Sequence, residues 1–212
     1  MQDLVAPALG TLGLTAAAGY LLGSIPFGVI LTRAGGAGDV RQIGSGNIGA
    51  TNVLRTGRKD LALATLLLDA GKGAVALLVA RWLFDSDVAA AIAGGAAFLG
   101  HLFPVWLGFK GGKGVATFFG LMIAAWWPLG LVAAGLWLLT AALFRMSSLS
   151  ALTAWAATPV LSLLPVAALG LPTAMPITLL AALAAVLIWV RHHQNIGRLL
   201  KGDEPRIGAK AA

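Results

Sequence analysis

Apolar runs long enough to cross a lipid bilayer recur along this chain and leave it few other folds. A helix crosses the hydrocarbon core with about 20 apolar residues. The first run extends from Leu4 to Thr32. The second, Leu61 to Phe84, contains Asp69, Lys72 and Arg81; the third extends from Val88 to about Val105. The next run, Val115 to Phe144, is too long for one span and carries Trp126-Trp127-Pro128 at its middle. Trp favours the membrane interface and Pro breaks helices, so two helices are expected there. A sixth run goes from Leu149 to about Leu164 and a seventh from about Ala174 to Val190. The expected fold is all-α: a polytopic membrane protein with seven transmembrane helices.

Composition agrees. The 212 residues are 58% apolar and 11% charged, whereas a soluble domain is charged at about a quarter of its positions. So little polar surface cannot cover a water-soluble globule of this size. The same numbers exclude a disordered chain, which is charged and poor in apolar residues. With no cysteine there is no disulfide, thiolate nucleophile or Cys-ligated metal, and three histidines are the only imidazoles. No metal-ligand cluster and no cofactor are expected, and no nucleic-acid partner. No internal repeat or soluble appendage divides the chain, so residues 1–212 read as one integral membrane domain. The first run starts beside Asp3 and is too long for a cleaved signal peptide, and Gln2 and Asp3 place the N-terminus outside.

Charge orients the spans. With seven crossings, the connections after spans one, three and five share a side with the C-terminus. That side holds Arg33, Arg41, Arg55, Arg58, Lys59, Lys110, Lys113, Arg145, Arg191, Arg198, Lys201, Arg206 and Lys210. The remaining two of the 15 basic residues, Lys72 and Arg81, lie inside the second span. The opposite loops carry Asp85 and Asp87 and no base. By the positive-inside rule the basic side, and with it the C-terminus, is cytoplasmic. Six or eight crossings would scramble this segregation. The histidines, His101, His192 and His193, fall at the same edge, so any chemistry belongs to the cytoplasmic face.

Three polar constellations stand out on that side. The first is Ile43-Gly-Ser-Gly-Asn-Ile-Gly-Ala-Thr-Asn-Val-Leu-Arg55. Gly44, Gly46 and Gly49 let backbone N–H groups converge on an anion, Ser45 and Thr51 add hydroxyls, and Arg55 adds a two-pronged phosphate contact. A helix starting near Ala50 would present its N-terminus to such an anion. An ordinary glycine-rich loop accounts for the same composition equally well. The second constellation runs from Gly100-His101 through Phe109-Lys-Gly-Gly-Lys-Gly to Thr117. It is no P-loop, since Gly114 follows Lys113 and Leu107 stands five before Gly112. Lys110 and Lys113 around two glycines still make a cationic loop, with the next helix starting at its end. A pure topology signal is the rival for the lysines, and a satisfied interfacial histidine for His101. The third constellation is His192-His-Gln-Asn-Ile-Gly-Arg-Leu-Leu-Lys-Gly-Asp-Glu204. Here the seventh helix is expected to continue into the cytoplasm as far as Gly202. His192 and Asn195 would share one face, either to hold a ligand or as part of a solvated juxtamembrane helix. Within the second span, Asp69 and Lys72 read as a mutually neutralising pair, with a functional role as the rival.

These segments resemble the acyl-phosphate-dependent glycerol-3-phosphate acyltransferases of bacterial plasma membranes. The resemblance covers nearly the whole chain. It rests on Gly-Ser-Gly-Asn-x-Gly-Ala-Thr-Asn-x-x-Arg at 44–55, Asp-x-x-Lys-Gly at 69–73 and Gly-His-x-Phe-Pro…Phe-Lys-Gly-Gly-Lys-Gly-Val-Ala-Thr at 100–117. It also rests on His-x-x-Asn-Ile-x-Arg-Leu-Leu-x-Gly-x-Glu at 192–204. It implies transfer of a fatty acyl group from acyl-phosphate to the sn-1 hydroxyl of glycerol 3-phosphate at the cytoplasmic edge of a seven-helix bundle in the bilayer. It further implies that Ser45, Arg55, His192 and Asn195, the residues nearest the chemistry, hold glycerol 3-phosphate with a lysine of the second motif, Lys110 or Lys113, of which Lys110 is preferred. Gly49, Ala50, Thr51 and Asn52, with Ser148 of a short turn in which Ser147 and Ser150 compete for the same role, would hold the acyl-phosphate headgroup, and Asn47 would also bind substrate. Glu204, Asp69, Lys72 and His101 would be structural. The proton acceptor is either a phosphate oxygen of the donor or His192.

Two rivals are separable in the sequence. Acyltransferases that use acyl-CoA or acyl-carrier protein carry His-x4-Asp; here the residues five after His101, His192 and His193 are Trp106, Gly197 and Arg198. An anion transporter would place polar groups at the midplane of repeated halves, whereas these lie at one rim.

Overall fold

The computed structural model describes residues 9–163 and 175–208, and all regular structure among them is helical. The expected run ends at Leu4, Leu164 and Ala174, and also Gln2, Asp3 and Lys210, lie outside the described residues. The long helices are α1 (Leu9–Gly23), α2 (Phe27–Ala34), α4 (Lys59–Phe84) and α5 (Asp87–Leu102). They are followed by α6 (Val115–Ala125), α7 (Trp127–Phe144), α8 (Ser147–Leu163), α9 (Met175–Arg191) and α10 (His193–Lys201). A single turn, α3 (Ala50–Val53), follows the first glycine-rich segment.

Large apolar side chains face outward on these helices, among them Leu66, Leu67, Leu138, Leu139, Leu183 and Val186. A soluble protein would place charge there; a bilayer wants hydrocarbon. By length and hydropathy four stretches can cross a membrane: Leu9–Ala34, Lys59–Phe84, Asp87–Leu107 and Trp127–Phe144. The bent pair α9–α10 would make a fifth. The expectation of seven full spans is therefore met only in part. Seven apolar segments exist if α1 and α2 count as one, but α6 has 11 residues, about 16 Å at helical rise.

The breaks are where charged side chains do their structural work. The first apolar run is not one continuous helix: it bends at Ser24-Ile25-Pro26, where proline removes a donor. Lys72 from α4 donates to the Ile25 carbonyl at that bend, at 2.9 Å, beside the Phe27 N–H at 3.1 Å. The Lys72 ammonium also lies 2.7 Å from Asp69 Oδ1, and His101 Nδ1 lies 3.5 Å from the same oxygen. All three side chains are buried, so the paired reading of Asp69 and Lys72 holds and extends to His101. The long fourth run does split at Trp126, which is extended at φ −159°. Arg81 of α4 donates to the Ala124 and Ala125 carbonyls at 3.2 and 3.1 Å, satisfying the end of α6, and also binds Asp87.

Helices α1 and α5 pack through small residues. A Cβ on Gly19 would land on the Ala93 carbonyl, and one on Gly23 on the Ala97 carbonyl. In a membrane such close backbone approach replaces the hydrophobic effect as the source of helix association. The apolar centre lies between α5, α6 and α8, where the ring of Trp155 meets Phe118 and Phe119 edge-on at 4.4 and 4.3 Å between centroids. Replacing Gly23 by Leu should separate α1 from α5 at a cost of about 3 kcal/mol. The detergent-solubilised melting temperature should then fall by several degrees, whereas Gly13→Leu, which meets nothing within 4 Å, should leave it unchanged.

Candidate active site

Four chain segments that are distant in sequence meet at one end of the bundle: the loop 43–58, the loop 108–114, the turn 145–148 and residues 191–208. They are the connections after apolar segments one, three, five and seven. Thr51 Oγ1 lies 3.3 Å from Ser147 Oγ. Ser148 Oγ donates to Glu204 Oε1 at 2.6 Å. Asn195 Nδ2 donates to the same oxygen at 2.6 Å, and Lys113 Nζ donates to Asn195 Oδ1. All of these groups come from the three expected constellations and the short serine turn.

The first loop is organised from within by Asn52. Its buried amide nitrogen reaches the carbonyls of Val40, Ile43 and Asn47 at 2.8–2.9 Å, and its Oδ1 accepts from Ser45 N at 3.2 Å and Ser45 Oγ at 3.3 Å. Asn47 Oδ1 takes the Gly49 N–H at 2.9 Å. Gly44 and Gly46 sit at φ 53° and 69°, conformations that glycine adopts freely. A Cβ on Gly44 would also fall 2.5 Å from Arg55 Nη1, so the guanidinium lies across the turn. The helix does begin at Ala50, as expected, but it lasts one turn. Ser45, Thr51 and Arg55 are exposed and open to a ligand. The Asn52 side chain and the Gly49 N–H, both expected on substrate, are committed to the loop's own shape.

The two lysines of the second loop separate clearly. Lys110 is exposed, whereas Lys113 is drawn in against Asn195. Of the two, Lys113 is the one joined to the third constellation. Burial takes the Lys113 ammonium down to about 8; the Glu204 charge opposes this, and Arg198, Arg191 and Arg55 add to it. The loop leads directly into α6, whose first residue is Val115, as the sequence reading required.

At the third constellation the chain does not run straight. Helices α9 and α10 meet at 60°, and His192 is the joint, at φ −97° and ψ 10°. His192 is buried, and its Nδ1 lies 2.7 Å from the Ile188 carbonyl. A carbonyl only accepts, so Nδ1 carries the hydrogen and Nε2 keeps its lone pair. Burial pushes His192 down to about 4, so the ring is neutral at physiological pH. His193 is exposed, and its Nδ1 lies 3.0 Å from the Val190 carbonyl. Gly202 ends α10 in the left-handed region at φ 79°.

Glu204 ties this rim together. Burial would raise its carboxyl, but hydrogen bonds from Ser148, Asn195 and Arg198 outweigh that and hold it below the ordinary range. The Arg198 bond is 2.7 Å. Its partner Ser148, expected on the acyl-phosphate headgroup, is turned towards it instead. Ser147 is the serine that faces the first loop. Sequence reasoning assigned no role to Arg198 or Arg191. The signal was present, since Arg191 directly precedes the third motif and Arg198 lies within it, but a basic residue there also satisfies the topology rule.

Glu204→Ala should strand Ser148, Asn195 and Arg198 and cost about 3 kcal/mol, read as a lower melting temperature and earlier proteolysis after Arg191. The stabilisation from Glu204 is present above the ordinary carboxylate range and is lost as pH falls through its depressed folded value. Acid should therefore loosen the wild type, and Glu204→Gln should blunt that acid sensitivity.

A family model described as glycerol-3-phosphate acyltransferase matches residues 13–202. A glycerol-3-phosphate acyltransferase of Caulobacter vibrioides is 62% identical over 99% of this chain and 94% of its own length. One of Rhodospirillum rubrum is 59% identical over 99% and 98%. Among solved structures, the glycerol 3-phosphate form of PlsY (YgiH), an integral membrane glycerol 3-phosphate acyltransferase, superposes with a TM-score of 0.85 at 38% identity, covering 94% of this chain and 96% of that one. Its lysophosphatidic acid form matches with a TM-score of 0.83. With its motifs gathered on one rim and its sequence matched along nearly its whole length, this chain belongs to the glycerol-3-phosphate acyltransferase family of integral membrane proteins.

Proposed function

We propose that the protein transfers a fatty acyl group from acyl-phosphate to the sn-1 hydroxyl of glycerol 3-phosphate, giving lysophosphatidic acid and inorganic phosphate. The observation that carries this reading is the chemistry of the rim. Arg55 and Lys113 supply cationic donors, Ser45 and Thr51 supply open hydroxyls, and the Glu204 carboxylate is bound on both oxygens by the protein itself. Such a site suits two phosphorylated substrates, and its buried carboxylate is already engaged by the protein. Acyl-phosphate needs no acid to protonate its leaving group, because phosphate departs readily. Relatives named for glycerol 3-phosphate support the acceptor.

In the proposed reaction Arg55, Lys113, Ser45 and Asn195 hold glycerol 3-phosphate, and Thr51 with its neighbour Ser147 lies towards the donor headgroup. The hydroxyl oxygen attacks the acyl carbon, the carbon–oxygen bond to phosphate breaks, and the bonding pair leaves on phosphate. The hydroxyl proton passes to a phosphate oxygen of the donor. His192, pulled to about 4, is too weak a base to take that proton, and its Nε2 is left to accept from the other hydroxyl of glycerol 3-phosphate. Catalysis is then proximity plus charge neutralisation.

The same reading places the protein in a bacterial plasma membrane, crossing seven times with the N-terminus outside and this rim in the cytoplasm. It is supported by the meeting of the connections after segments one, three, five and seven at one end. Arg81 joins the connections after segments two and four through Asp87, Ala124 and Ala125.

Purified protein given glycerol 3-phosphate should form lysophosphatidic acid from palmitoyl-phosphate and not from palmitoyl-CoA, and Ser45→Ala should lower kcat/KM by about 100-fold. Product from palmitoyl-CoA alone would overturn the donor, and no product from either would favour transport, read by vesicle uptake of glycerol 3-phosphate. His192→Ala should keep measurable turnover and the acidic limb of the wild-type pH profile; loss of that limb together with turnover would make His192 the base. Lys113 binds phosphate as the ammonium, so the KM for glycerol 3-phosphate should rise as pH passes about 8. Lys113→Arg should move that rise to higher pH.

A further inference from the structure

The guanidinium of Arg191 has partners outside the reaction just described. It donates from Nε to the Gly112 carbonyl at 3.2 Å and from Nη2 to the Gly111 carbonyl at 2.9 Å. It also lies over the Phe103 ring, 5.6 Å from the centroid. We propose that Arg191 is a positioning residue that grips these two carbonyls and thereby sets where Lys113 meets the phosphate of glycerol 3-phosphate. This rests on the reading of Lys113 as a phosphate ligand.

The Gly111-Gly112 pair is the most pliable stretch that could precede a binding lysine, and ordering it is entropically costly. The glycines are nevertheless required. A Cβ on Gly111 would land on the His101 carbonyl, and one on Gly112 on the His101 imidazole. The segment therefore lies flat against the end of α5, where the Gly111 and Gly112 N–H groups donate to the Leu102 and His101 carbonyls at 3.1 and 3.0 Å. Those bonds hold one edge of the loop. Arg191 holds the other, with a fork whose two parallel donors match two successive carbonyls.

Arg191 is also the last residue of α9, directly before His192. One helix end thus fixes the lysine loop through Arg191 and presents His192 and Asn195 to the same place. Lys113 reaches Asn195 across that junction. Without the fork, Lys113 would sample positions away from Asn195, and the loss would fall on glycerol 3-phosphate binding more than on the acyl donor. A lysine at 191 can reach one carbonyl at a time and would restore part of the effect.

The test uses the full-length protein in detergent with palmitoyl-phosphate. Arg191→Ala, Arg191→Lys, Lys113→Ala and the double variant Lys113→Ala/Arg191→Ala are compared by melting temperature and by KM for each substrate. Arg191→Ala should raise the KM for glycerol 3-phosphate by about tenfold and that for palmitoyl-phosphate by less than about twofold, with Arg191→Lys between it and the wild type. In the Lys113→Ala background the added effect of Arg191→Ala should shrink to below about threefold. An unchanged KM in Arg191→Ala, equal rises for both substrates, or independent effects in the double variant would overturn the proposal. If Arg191→Ala does not fold, Arg191→Lys decides: a selective rise in the glycerol 3-phosphate KM at unchanged melting temperature supports the grip, and no rise refutes it. A wild-type KM in Lys113→Ala would sink the reading of Lys113 and this inference with it. A raised KM there alone would leave that reading standing and reject only the role of Arg191.

Discussion

The absence of water from the bilayer core governs this structure. A backbone carbonyl there must find a donor inside the protein, and a charge must find its opposite. Both internal basic residues of α4 answer that demand. Lys72 satisfies the carbonyl at the proline bend between α1 and α2, and Arg81 satisfies the carbonyls where α6 stops short of α7. The bends in turn bring short connections together at one rim, and the buried Asp69–Lys72–His101 group lies beneath the second glycine-rich loop, which rests on His101.

At the rim the organising element is a carboxylate. Glu204 draws in Ser148 from α8, and Asn195 and Arg198 from α10, and through Asn195 it reaches Lys113. This explains why α10 turns by 60° instead of extending α9: the turn carries Asn195 and Arg198 to the carboxylate. The groups left open, Ser45, Thr51 and Arg55, surround this closed network. The division is chemically sensible, because a carboxylate bound on both oxygens keeps the rim in shape when phosphates arrive, while Lys113 gives the network one of its three hydrogens.

Much of this was legible in the residues. Helix starts at Ala50 and Val115, the break at Trp126 and the stop at Gly202 follow from proline, tryptophan and glycine placement, which act locally. The one-sided basic charge and the three motifs located the rim. Illegible from sequence were the choices between equivalent neighbours. Lys110 and Lys113 are both lysines beside glycines, and only burial against Asn195 distinguishes them. Ser147 and Ser148 are adjacent hydroxyls, and the direction of each depends on where Glu204 lies. The bend at Ile25 was hidden because Ser24 and Pro26 sit in an otherwise unbroken apolar run. The Gly19/Gly23 seam was hidden because glycines in an apolar helix show no partner until α5 is placed against them.

The sequence by itself determined that the chain is helical, apolar on its outside and polar at one edge. Hydrocarbon length, helix-breaking residues and charge asymmetry are properties of the chain taken piece by piece. Tertiary structure decided which polar groups face a ligand and which hold the protein together. Hydrogen-bond partners are chosen by distance in space, and the residues that select one another here, Ser148, Asn195 and Glu204, Lys113 and Asn195, Lys72 and Ile25, come from separate helices and connections.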